Sequence, residues 1–239
     1  MTDFAPSLDR LREMLAALGP GRVWRPVAGP DGALLARGSG PGPESLEPYV
    51  AGLDVAGKTV ADLGCNLGYF SLLAARCGAR RVLGCDADPE IIEAATLLAR
   101  LHGLAGVDFL ARDFLAAPAP ERFDLALLVD FVGRGVVAKG KLAAVAAAAA
   151  SWARHEVFFT LHPAYALDEL AVPPEVLAAR HPGCVRDGRF FTAEALAALL
   201  GPGWTMRRLT DGRLSAGETT LRAKTALLFT RKAPSASAP

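Results

Sequence analysis

Four aspartates in this sequence follow apolar stretches that are predicted to be strands: Asp62, Asp86, Asp113 and Asp130. Ligands of open parallel sheets bind at the edge where the carboxyl ends of the strands meet, so one crevice can collect several of these side chains. An ionised carboxylate accepts hydrogen bonds on both oxygens, which suits a polyol or a cationic group. A single aspartate at such a position can instead cap a helix or form a turn, and that alternative stays open for each.

The segment around Asp62 carries the most specific pattern. Gly64 and Gly68 follow the apolar strand, and a helix is predicted to begin near Tyr69. Glycine lets the backbone approach a ligand closely, and a helix N-terminus faces the same crevice. The third glycine of the dinucleotide pattern Gly-x-Gly-x-x-Gly is absent, as is a Gly-Lys-Ser/Thr phosphate loop. The loop therefore favours a nucleoside with a small polar tail over a pyrophosphate.

Asp86 lies at the end of the next predicted strand, as Asp62 does on its own strand. It lies 18 residues beyond Gly68, after the apolar stretch 82–85. A carboxylate at this point of a nucleotide-binding unit can accept hydrogen bonds from both hydroxyls of a ribose. We therefore predict ribose binding by Asp86 rather than a role in a turn alone.

The run Gly-Lys-Thr-Val-Ala-Asp-Leu-Gly-Cys-Asn-Leu-Gly-Tyr-Phe at 57–70, followed by Asp86, resembles the first motifs of class I S-adenosylmethionine (SAM) methyltransferases. The resemblance extends from 57 to 114 and, in strand order, to 231. It is similar in detail to methyltransferases related to the tRNA wobble-uridine-modifying group. It implies a methyltransferase that uses SAM as its cofactor.

The resemblance also implies a role for each matching residue at the methionine end of SAM. Gly64, Asn66 and Gly68 would line the methionine portion, and Asp62 would sit at the cofactor's amino group. Asn66 replaces a glycine that is common in the family, and asparagine tolerates left-handed backbone better than most residues.

At the nucleoside end, the resemblance implies that Asp86 holds the ribose and that Ala87 lies beside the adenine. Asp113 and Phe114 would cap the adenine edge, with the acid accepting a hydrogen bond from the exocyclic amine.

Two residues are candidates for the transfer step. Methyl transfer from a sulfonium requires alignment, together with proton removal when the acceptor is a hydroxyl or an amine. His162 follows the strand at 157–161 and is a candidate general base, although it could merely end that strand. Asp130 could orient a substrate hydroxyl or, with a second oxygen ligand, hold a magnesium ion. No partner acid follows the next strand, so no metal is expected.

The elements that must position these residues follow from the hydrophobic pattern. Strands alternate with helices along 58–161, an Ala-rich helix is predicted at 139–154, and Thr192 is predicted to cap a helix over 192–200. The segments 204–209 and 223–230 are strand-like and should pair antiparallel. We therefore predict an α/β fold with a Rossmann-like seven-stranded sheet, mostly parallel with one antiparallel strand, and helices on both faces.

Three regions are predicted along the chain: an N-terminal helix and β-hairpin extension (1–45), a SAM-binding methyltransferase domain (46–232) and a disordered tail (233–239). The hairpin segment with Trp24 and the insertion at 163–190 are candidate lids over the site. The alternatives are ordinary packing for Trp24 and a surface connection for the insertion.

Composition limits the partners. A formal net charge of +1 predicts no strong field for nucleic acid, so we favour a small-molecule acceptor, with oxygen as the methylated atom. An RNA acceptor and a non-catalytic SAM-binding module remain alternatives. Basic residues near the terminal hairpin would serve RNA or simply protect edge strands: Arg207, Arg208, Arg213, Arg222, Lys224, Arg231 and Lys232.

The four cysteines show no zinc-ligand spacing, and the chain has neither a secretory signal nor a bilayer-length apolar run. We therefore expect buried thiols in a soluble cytoplasmic protein that has no membrane partner.

Overall fold

The computed structural model describes residues 4–40, 46–209 and 224–233 of the 239-residue chain. In chain order the elements are α1 (Phe4–Leu18), β1 (Val27–Ala28), β2 (Leu34–Ala36), α2 (Glu47–Ala51), β3 (Thr59–Leu63), α3 (Tyr69–Arg76), β4 (Arg81–Asp86), α4 (Pro89–Leu101), β5 (Val107–Ala111), β6 (Phe123–Val132), α5 (Arg134–Ala138), α6 (Leu142–Trp152), β7 (Ala153–Leu161), β8 (Tyr165–Ala166), a 3-10 turn (Leu167–Glu169), α7 (Pro174–Arg180), β9 (Val185–Arg186), β10 (Arg189–Phe190), α8 (Thr192–Leu200), β11 (Trp204–Arg208) and β12 (Thr225–Arg231).

Seven strands form the main sheet, in the order β11-β12-β7-β6-β3-β4-β5. The strands from β7 to β5 in that order pair in parallel, whereas β12 is antiparallel to both of its neighbours. The predicted Rossmann-like sheet with one antiparallel strand is confirmed. Because parallel strands point the same way, the residues that end β3, β4, β6 and β7 meet at one edge.

Helices cover both faces of this sheet. α6 and α8 lie over one face, with Trp152 and Leu196 in its core, while α3 and α4 lie over the other, with Phe70 and Leu98 buried. All five residues of β3 are buried, as expected for a central parallel strand covered on both sides. The edge that carries the site is therefore supported by the most enclosed strand of the fold.

The predicted N-terminal helix and hairpin are both present. α1 packs against α4 and buries Leu11 and Leu15. β1 and β2 pair antiparallel, and the ring of His102, at the end of α4, lies 3.0 Å from the carbonyl oxygen of Ala28. The division at residue 45 stays a prediction. The predicted tail lies, apart from Ala233, outside the described residues.

The predicted end of the strand at Val129 is wrong, because β6 continues to Val132. Its pairing with β7 is irregular between Val129 and Val132, and Asp130 has a φ of 59°. This bulge lets the Asp130 backbone N–H donate to Thr160 Oγ1 at 2.8 Å. It turns the acid away from a regular strand position.

The predicted helix over 139–154 is also wrong in its bounds. The Ala-rich stretch forms the single, shorter helix α6, the helix α5 precedes it, and β7 begins at Ala153. Gly140 separates the two helices with a φ of +66°, a conformation that ends a helix readily in glycine.

Thr192 does not cap α8. Phe191 occupies the N-cap position, and the buried Thr192 hydroxyl has no hydrogen-bond partner among the described residues.

The insertion at 163–190 forms a small sheet, β8-β10-β9, together with α7. Its side chains Leu177 and Phe190 are fully buried in the core beneath α8, so this segment is an integral part of the fold.

In the described part of the chain, no helix combines the length and the apolar character that a membrane crossing needs.

Gly68→Ala tests the close approach at the loop after β3. Gly68 has a φ of +78°, and an added Cβ would lie 2.5 Å from Phe109 Cζ. Left-handed backbone costs an alanine about 1–2 kcal/mol, and overlap in a packed region adds about 1–3 kcal/mol. Gly103→Ala is the matched control, because Gly103 has a φ of +64° and open space at the Cβ position. Urea denaturation should show a larger decrease in the free energy of unfolding for Gly68→Ala than for Gly103→Ala. Equal decreases would contradict the packing of Phe109 against Gly68.

Candidate cofactor and acceptor site

Asp62 lies inside β3 at the base of the glycine loop. Its carboxylate accepts a hydrogen bond from Ser71 Oγ at 2.7 Å, and the residue is 3% exposed. Burial raises the pKa of Asp62 to about 6, against the lowering effect of the Ser71 hydrogen bond. A cationic group next to this carboxylate would favour its ionised form. The position therefore suits the amino group that the resemblance assigns to it.

The loop after β3 runs through three left-handed residues: Gly64, Asn66 and Gly68 have φ values of 78°, 49° and 78°. An added Cβ at Gly64 would lie 2.5 Å from the ring of Phe131. The backbone N–H of Gly64 donates to the carbonyl oxygen of Cys85 at 2.8 Å, which ties the loop to β4. The expectation that asparagine adopts left-handed backbone here is confirmed.

Asp86 holds the same loop from the neighbouring strand. Its Oδ2 accepts a hydrogen bond from the backbone N–H of Asn66 at 3.0 Å, and its Oδ1 accepts one from Asp88 N–H at 3.2 Å. Each carboxylate oxygen can accept a further hydrogen bond, so both stay available to ribose hydroxyls. The ribose role remains a prediction, and the structure adds a loop-positioning role.

The remaining nucleoside-side candidates differ in exposure. Ala87 and Asp113 are exposed, and Asp113 Oδ1 accepts the backbone N–H of Leu115 at 2.9 Å in a local turn. Phe114 is 5% exposed, and its ring centroid lies 4.9 Å from that of Phe131. Phe131 therefore contacts both the glycine loop and Phe114. A base bound here would meet an aromatic pair.

Residues 22–25, called the strap below, cross the carboxyl edge of the sheet. Arg22 Nη2 donates to Asp88 Oδ2 at 2.5 Å, near the end of β4. The Asn66 side chain donates from Nδ2 to the Arg22 carbonyl oxygen at 2.8 Å and accepts Trp24 N–H on Oδ1 at 3.0 Å. The amide of Asn66 is therefore used to hold the strap, and only its backbone faces Asp86.

The strap and the glycine loop enclose a cavity of about 290 Å³. This volume is at the lower end of the range for small-molecule sites, about 300–1,000 Å³. Arg25, Asp62, Gly64 and Asn66 line it. The structure thus brings together three of the four residues expected at the methionine end: Asp62, Gly64 and Asn66. The other sequence candidates are not among its lining residues: Gly68, Asp86, Ala87, Asp113, Phe114, Asp130 and His162.

Asp130 is enclosed by two cations on the other side of β3. Arg25, the last residue of the strap, donates to Asp130 Oδ2, and Lys224 Nζ lies 2.5 Å from Asp130 Oδ1. The Asp130 side chain is only 2% exposed. It therefore holds Arg25 and Lys224 rather than facing an acceptor. The role of Asp130 in orienting a substrate hydroxyl stays a prediction, and Asp130 would have to act on the substrate through these two cations. Among the described residues, no three His, Cys, Asp or Glu side chains form a group that could hold a metal ion.

His162 directly follows β7, at the expected edge. It is partly buried, and both burial and the positive charge of Lys224 lower its pKa, while Glu169 opposes this effect. Its ring centroid lies 5.5 Å from that of Tyr165. A neutral imidazole can accept a proton, so the geometry is compatible with a base, and that role remains a prediction.

Sequence reasoning missed Arg25, Lys224 and Phe131 as site residues. Phe131 directly follows Asp130, and Arg25 follows Trp24 in a segment already considered as a lid, so both lay next to a recognised signal. Lys224 was grouped with surface basic residues, but it pairs with Asp130 at the site. No local pattern separates a lysine that turns inward from one that faces solvent.

Residues 54–158 match the family model of a methyltransferase domain. The curated relatives include the ribosomal protein L11 methyltransferase of Aeromonas salmonicida (strain A449), which is 38% identical over 91 residues, or 35% of this chain and 31% of that protein. The same protein from Serratia proteamaculans (strain 568) is 30% identical over 163 residues, or 59% of this chain and 55% of the relative. This chain therefore spans from about a third to about half of the length of these relatives.

Among solved structures, the magnesium protoporphyrin IX methyltransferase of Synechocystis PCC 6803, with bound SAH, matches with a TM-score of 0.52. It is 19% identical, and the match covers 79% of this chain and 81% of that one. At this identity the likeness shows a shared fold.

The matched segment, which is less than half of this chain, is similar to a methyltransferase domain, and the solved structure shows the shared fold. The matched residues contain β3, the glycine loop, Asp86 and Asp130. Arg25, His162 and Lys224 lie outside them.

Asp86→Ala should weaken binding of S-adenosylhomocysteine (SAH). Loss of hydrogen bonds to a charged acceptor costs about 1.5–3 kcal/mol, which corresponds to a roughly 10- to 150-fold higher Kd by calorimetry. 5′-Methylthioadenosine, which keeps the ribose but lacks the amino-acid tail, should lose affinity by a similar factor. Asp86→Asn, which keeps one acceptor oxygen, should show a smaller loss. Unchanged affinity in Asp86→Ala would refute the ribose assignment.

The raised pKa of Asp62 predicts pH-dependent cofactor binding. The ammonium group of SAH favours the ionised carboxylate, so below a pKa of about 6 the Kd should rise by up to about ten-fold per pH unit. Calorimetry between pH 7 and pH 5 measures this. Asp62→Asn should bind weakly with a flat profile over that range, and 5′-methylthioadenosine should show a flat profile with the unaltered protein. A flat SAH profile would contradict the contact.

Proposed function

We propose that this protein transfers the methyl group of SAM to an acceptor held over the carboxyl ends of β6 and β7 and the start of β12. The observation that carries this proposal is the order of the sheet. β4 and β5, with Asp86 and Asp113, lie on one side of β3, whereas Asp130, His162 and Lys224 lie on the other. A nucleoside on the first side and its amino-acid tail at β3 leave the second side for the acceptor.

SAM supplies a methyl group on a positively charged sulfur, which is already an activated leaving group. The chain's own residues then have to bind, orient and, for a hydroxyl acceptor, remove a proton. Asp62 and the glycine loop support binding of the tail, and Asp86 supports binding of the ribose. His162 is the proposed base, and the strap lines the cavity together with the glycine loop.

We favour a small-molecule acceptor with oxygen as the methylated atom. The similarity to ribosomal protein L11 methyltransferases makes a protein acceptor the second candidate. The shorter similarity covers only 35% of this chain, and the cofactor half carries the recognised motifs, so acceptor identity does not follow from it.

The RNA alternative, including a wobble-uridine acceptor, has less support. Two members of the basic group proposed for RNA have other contacts. Lys224 pairs with Asp130, and Arg231 donates to the carbonyl oxygens of Ala150 and Arg154 at 2.8 and 2.9 Å. Arg213 and Arg222 lie outside the described residues.

The proposal is tested with methyl-labelled SAM and three separate acceptor pools: small-molecule extract, ribosomal protein and total tRNA. We expect SAH formation and label transfer with the small-molecule pool. Label in protein or tRNA alone would assign the acceptor to that class instead. If SAH binds by calorimetry but no pool yields SAH above background, the protein is a SAM-binding module without transfer.

His162→Ala should lower kcat by about 10²- to 10⁴-fold while leaving the Kd of SAH unchanged, since general base catalysis contributes a factor of this size and the residue lies across β3 from the predicted nucleoside site. The pH–rate profile supplies a second readout. The unaltered enzyme should lose kcat as pH falls through a pKa below the ordinary histidine value, because protonation removes the base. His155→Ala, which alters an exposed histidine near the start of β7 and therefore at the opposite edge of the sheet, is the control for expression and handling. Unaltered kcat and pH profile in His162→Ala would assign His162 a structural role.

A further inference from the structure

Two ring side chains meet at the carboxyl end of β7. His162 directly follows the strand, and Tyr165 is the first residue of β8. Their ring centroids lie 5.5 Å apart, with an angle of 57° between the ring planes. Tyr165 is 5% exposed, and His162 is partly buried. The proposed reaction uses His162 but gives this neighbouring tyrosine no role.

The backbone around Tyr165 is well anchored. β8 pairs antiparallel with β10, which sets Tyr165 opposite the fully buried Phe190. The carbonyl oxygen of Pro163 accepts the backbone N–H of Ala193 at 3.1 Å, so the segment between His162 and Tyr165 is tied to α8. A side chain held on such a scaffold loses little conformational entropy when it binds a ligand.

The polar atoms of both rings are available for hydrogen bonds. Across the described ranges, no hydrogen bond joins the Tyr165 hydroxyl or the His162 imidazole to another residue. A tyrosine hydroxyl in so buried a residue usually has a partner, because leaving it unpaired costs free energy. The Tyr165 oxygen is not completely enclosed, so a partner can reach it from the edge of the sheet.

The two rings have complementary hydrogen-bonding roles. Burial raises the pKa of Tyr165 to about 12, so its hydroxyl stays protonated and can donate. Burial and the charge of Lys224 lower the pKa of His162, so its neutral imidazole can accept a proton. Arg134 and Glu169 carry opposite charges and act on both rings, so this part of the edge does not select an acceptor of one charge.

We propose that Tyr165 and His162 bind the hydroxyl group of a phenolic acceptor, with Tyr165 donating to the hydroxyl oxygen and His162 accepting its proton. This inference rests on the proposed function, because it names the class of acceptor at the same site. The O–H group of a phenol can use the donor and the acceptor together. Its ring can also pack against the two aromatic side chains.

A weak base favours an acidic hydroxyl. A phenol has a pKa of about 10, as a tyrosine side chain has, whereas an aliphatic hydroxyl resembles water, with a pKa of about 16. Because the pKa of His162 lies below its ordinary value, proton transfer from the aliphatic hydroxyl would be far less favourable. A hydrogen bond from Tyr165 to the phenol oxygen also stabilises the negative charge that develops there.

In the transfer step, the phenol oxygen bonds to the methyl carbon and displaces the sulfur, which keeps the electron pair of the carbon–sulfur bond. The phenol proton moves to the His162 imidazole, and Tyr165 keeps its own proton. The products are a neutral methyl ether, neutral SAH and an imidazolium that returns its proton to water. Tyr165 therefore contacts the reacting oxygen throughout the step.

Binding of 4-nitrophenol tests the site without any transfer. Difference absorbance is measured at pH 7 in the presence of saturating SAH, and 4-nitrobenzyl alcohol is added as a competitor with an aliphatic hydroxyl. We expect saturable binding of the phenol and weak competition by the alcohol. Tyr165→Phe keeps the ring and should raise the Kd about three- to ten-fold, the range for one lost hydrogen bond.

Tyr49→Phe is the matched control for this loss of a hydroxyl. Tyr49 packs against the core on the other face of the sheet and lines a separate cavity with Asp54 and Glu156. The variant should leave the Kd of 4-nitrophenol unchanged. Both variants should leave the Kd of SAH unchanged.

Solvent fractionation of the acceptor pool tests the chemical class. The small-molecule extract is taken into ethyl acetate and washed with bicarbonate to remove carboxylic acids, with dilute acid to remove amines and then with hydroxide to remove phenols. Methyl-labelled SAM should label the hydroxide fraction, and the product should no longer dissolve in hydroxide, because a methyl ether has no acidic proton. Tyr165→Phe should raise the KM, measured by dilution of this fraction, about three- to ten-fold with a smaller change in kcat, and Tyr49→Phe should change neither.

The outcomes separate the two proposals. Transfer to another fraction or pool leaves the proposed function standing and refutes the phenolic acceptor. Where the hydroxide fraction is labelled, the kinetics decide: unchanged KM and kcat in Tyr165→Phe, or equal changes in Tyr49→Phe, refute the contact. If SAH binds but no pool is methylated, the proposed function fails and 4-nitrophenol decides. Saturable binding that weakens only in Tyr165→Phe then supports a phenol site, and any other result refutes it.

Discussion

Carboxylates that gather at one edge of a parallel sheet must each be satisfied, and much of the site's architecture follows from that requirement. Asp62 is buried with a serine hydroxyl as its partner, Asp86 binds backbone N–H groups, and Asp130 is enclosed by cations. The strap supplies Arg25 to Asp130 and also contacts Asp88 through Arg22. The N-terminal segment is thus held over the crevice by the same acids that make the crevice suitable for a polar ligand.

This arrangement divides the edge into two sides with different chemistry. On the β4 side, single carboxylates and exposed loop residues offer hydrogen-bond acceptors, which suit the neutral hydroxyls and amine of a nucleoside. On the β6 side, cations predominate around a buried acid, and a partly buried histidine lies beside them. The glycine loop lies between the two sides, where its left-handed backbone admits close contact from Phe131 and Phe109.

Much of the cofactor half could be predicted from the sequence. The seven-stranded sheet, the single antiparallel strand and the left-handed conformation at Asn66 were all confirmed, because each depends on periodicity or on the spacing of a few adjacent residues. Element bounds were less predictable. The Ala-rich stretch forms one helix as predicted, but with shorter bounds, because the left-handed Gly140 precedes it and β7 begins at Ala153. The strand end at Asp130 was wrong because a bulge satisfies the backbone through Thr160.

The sequence by itself determined the parallel sheet and the strands that carry Asp62, Asp86, Asp130 and His162, and it predicted a SAM site at their shared edge. Only the tertiary structure decided what those side chains meet. Arg25 and Asp130 are 105 residues apart in the sequence. Lys224 contacts the same carboxylate, although it is one of several basic residues near the C-terminal strands and nothing in the sequence distinguishes it from the others. Hydrophobic periodicity indicates which face of a helix or strand is buried, whereas an ion pair depends on how separate elements pack together. The positive charge on the β6 side of the edge therefore depends on how the strap and β12 pack against β6.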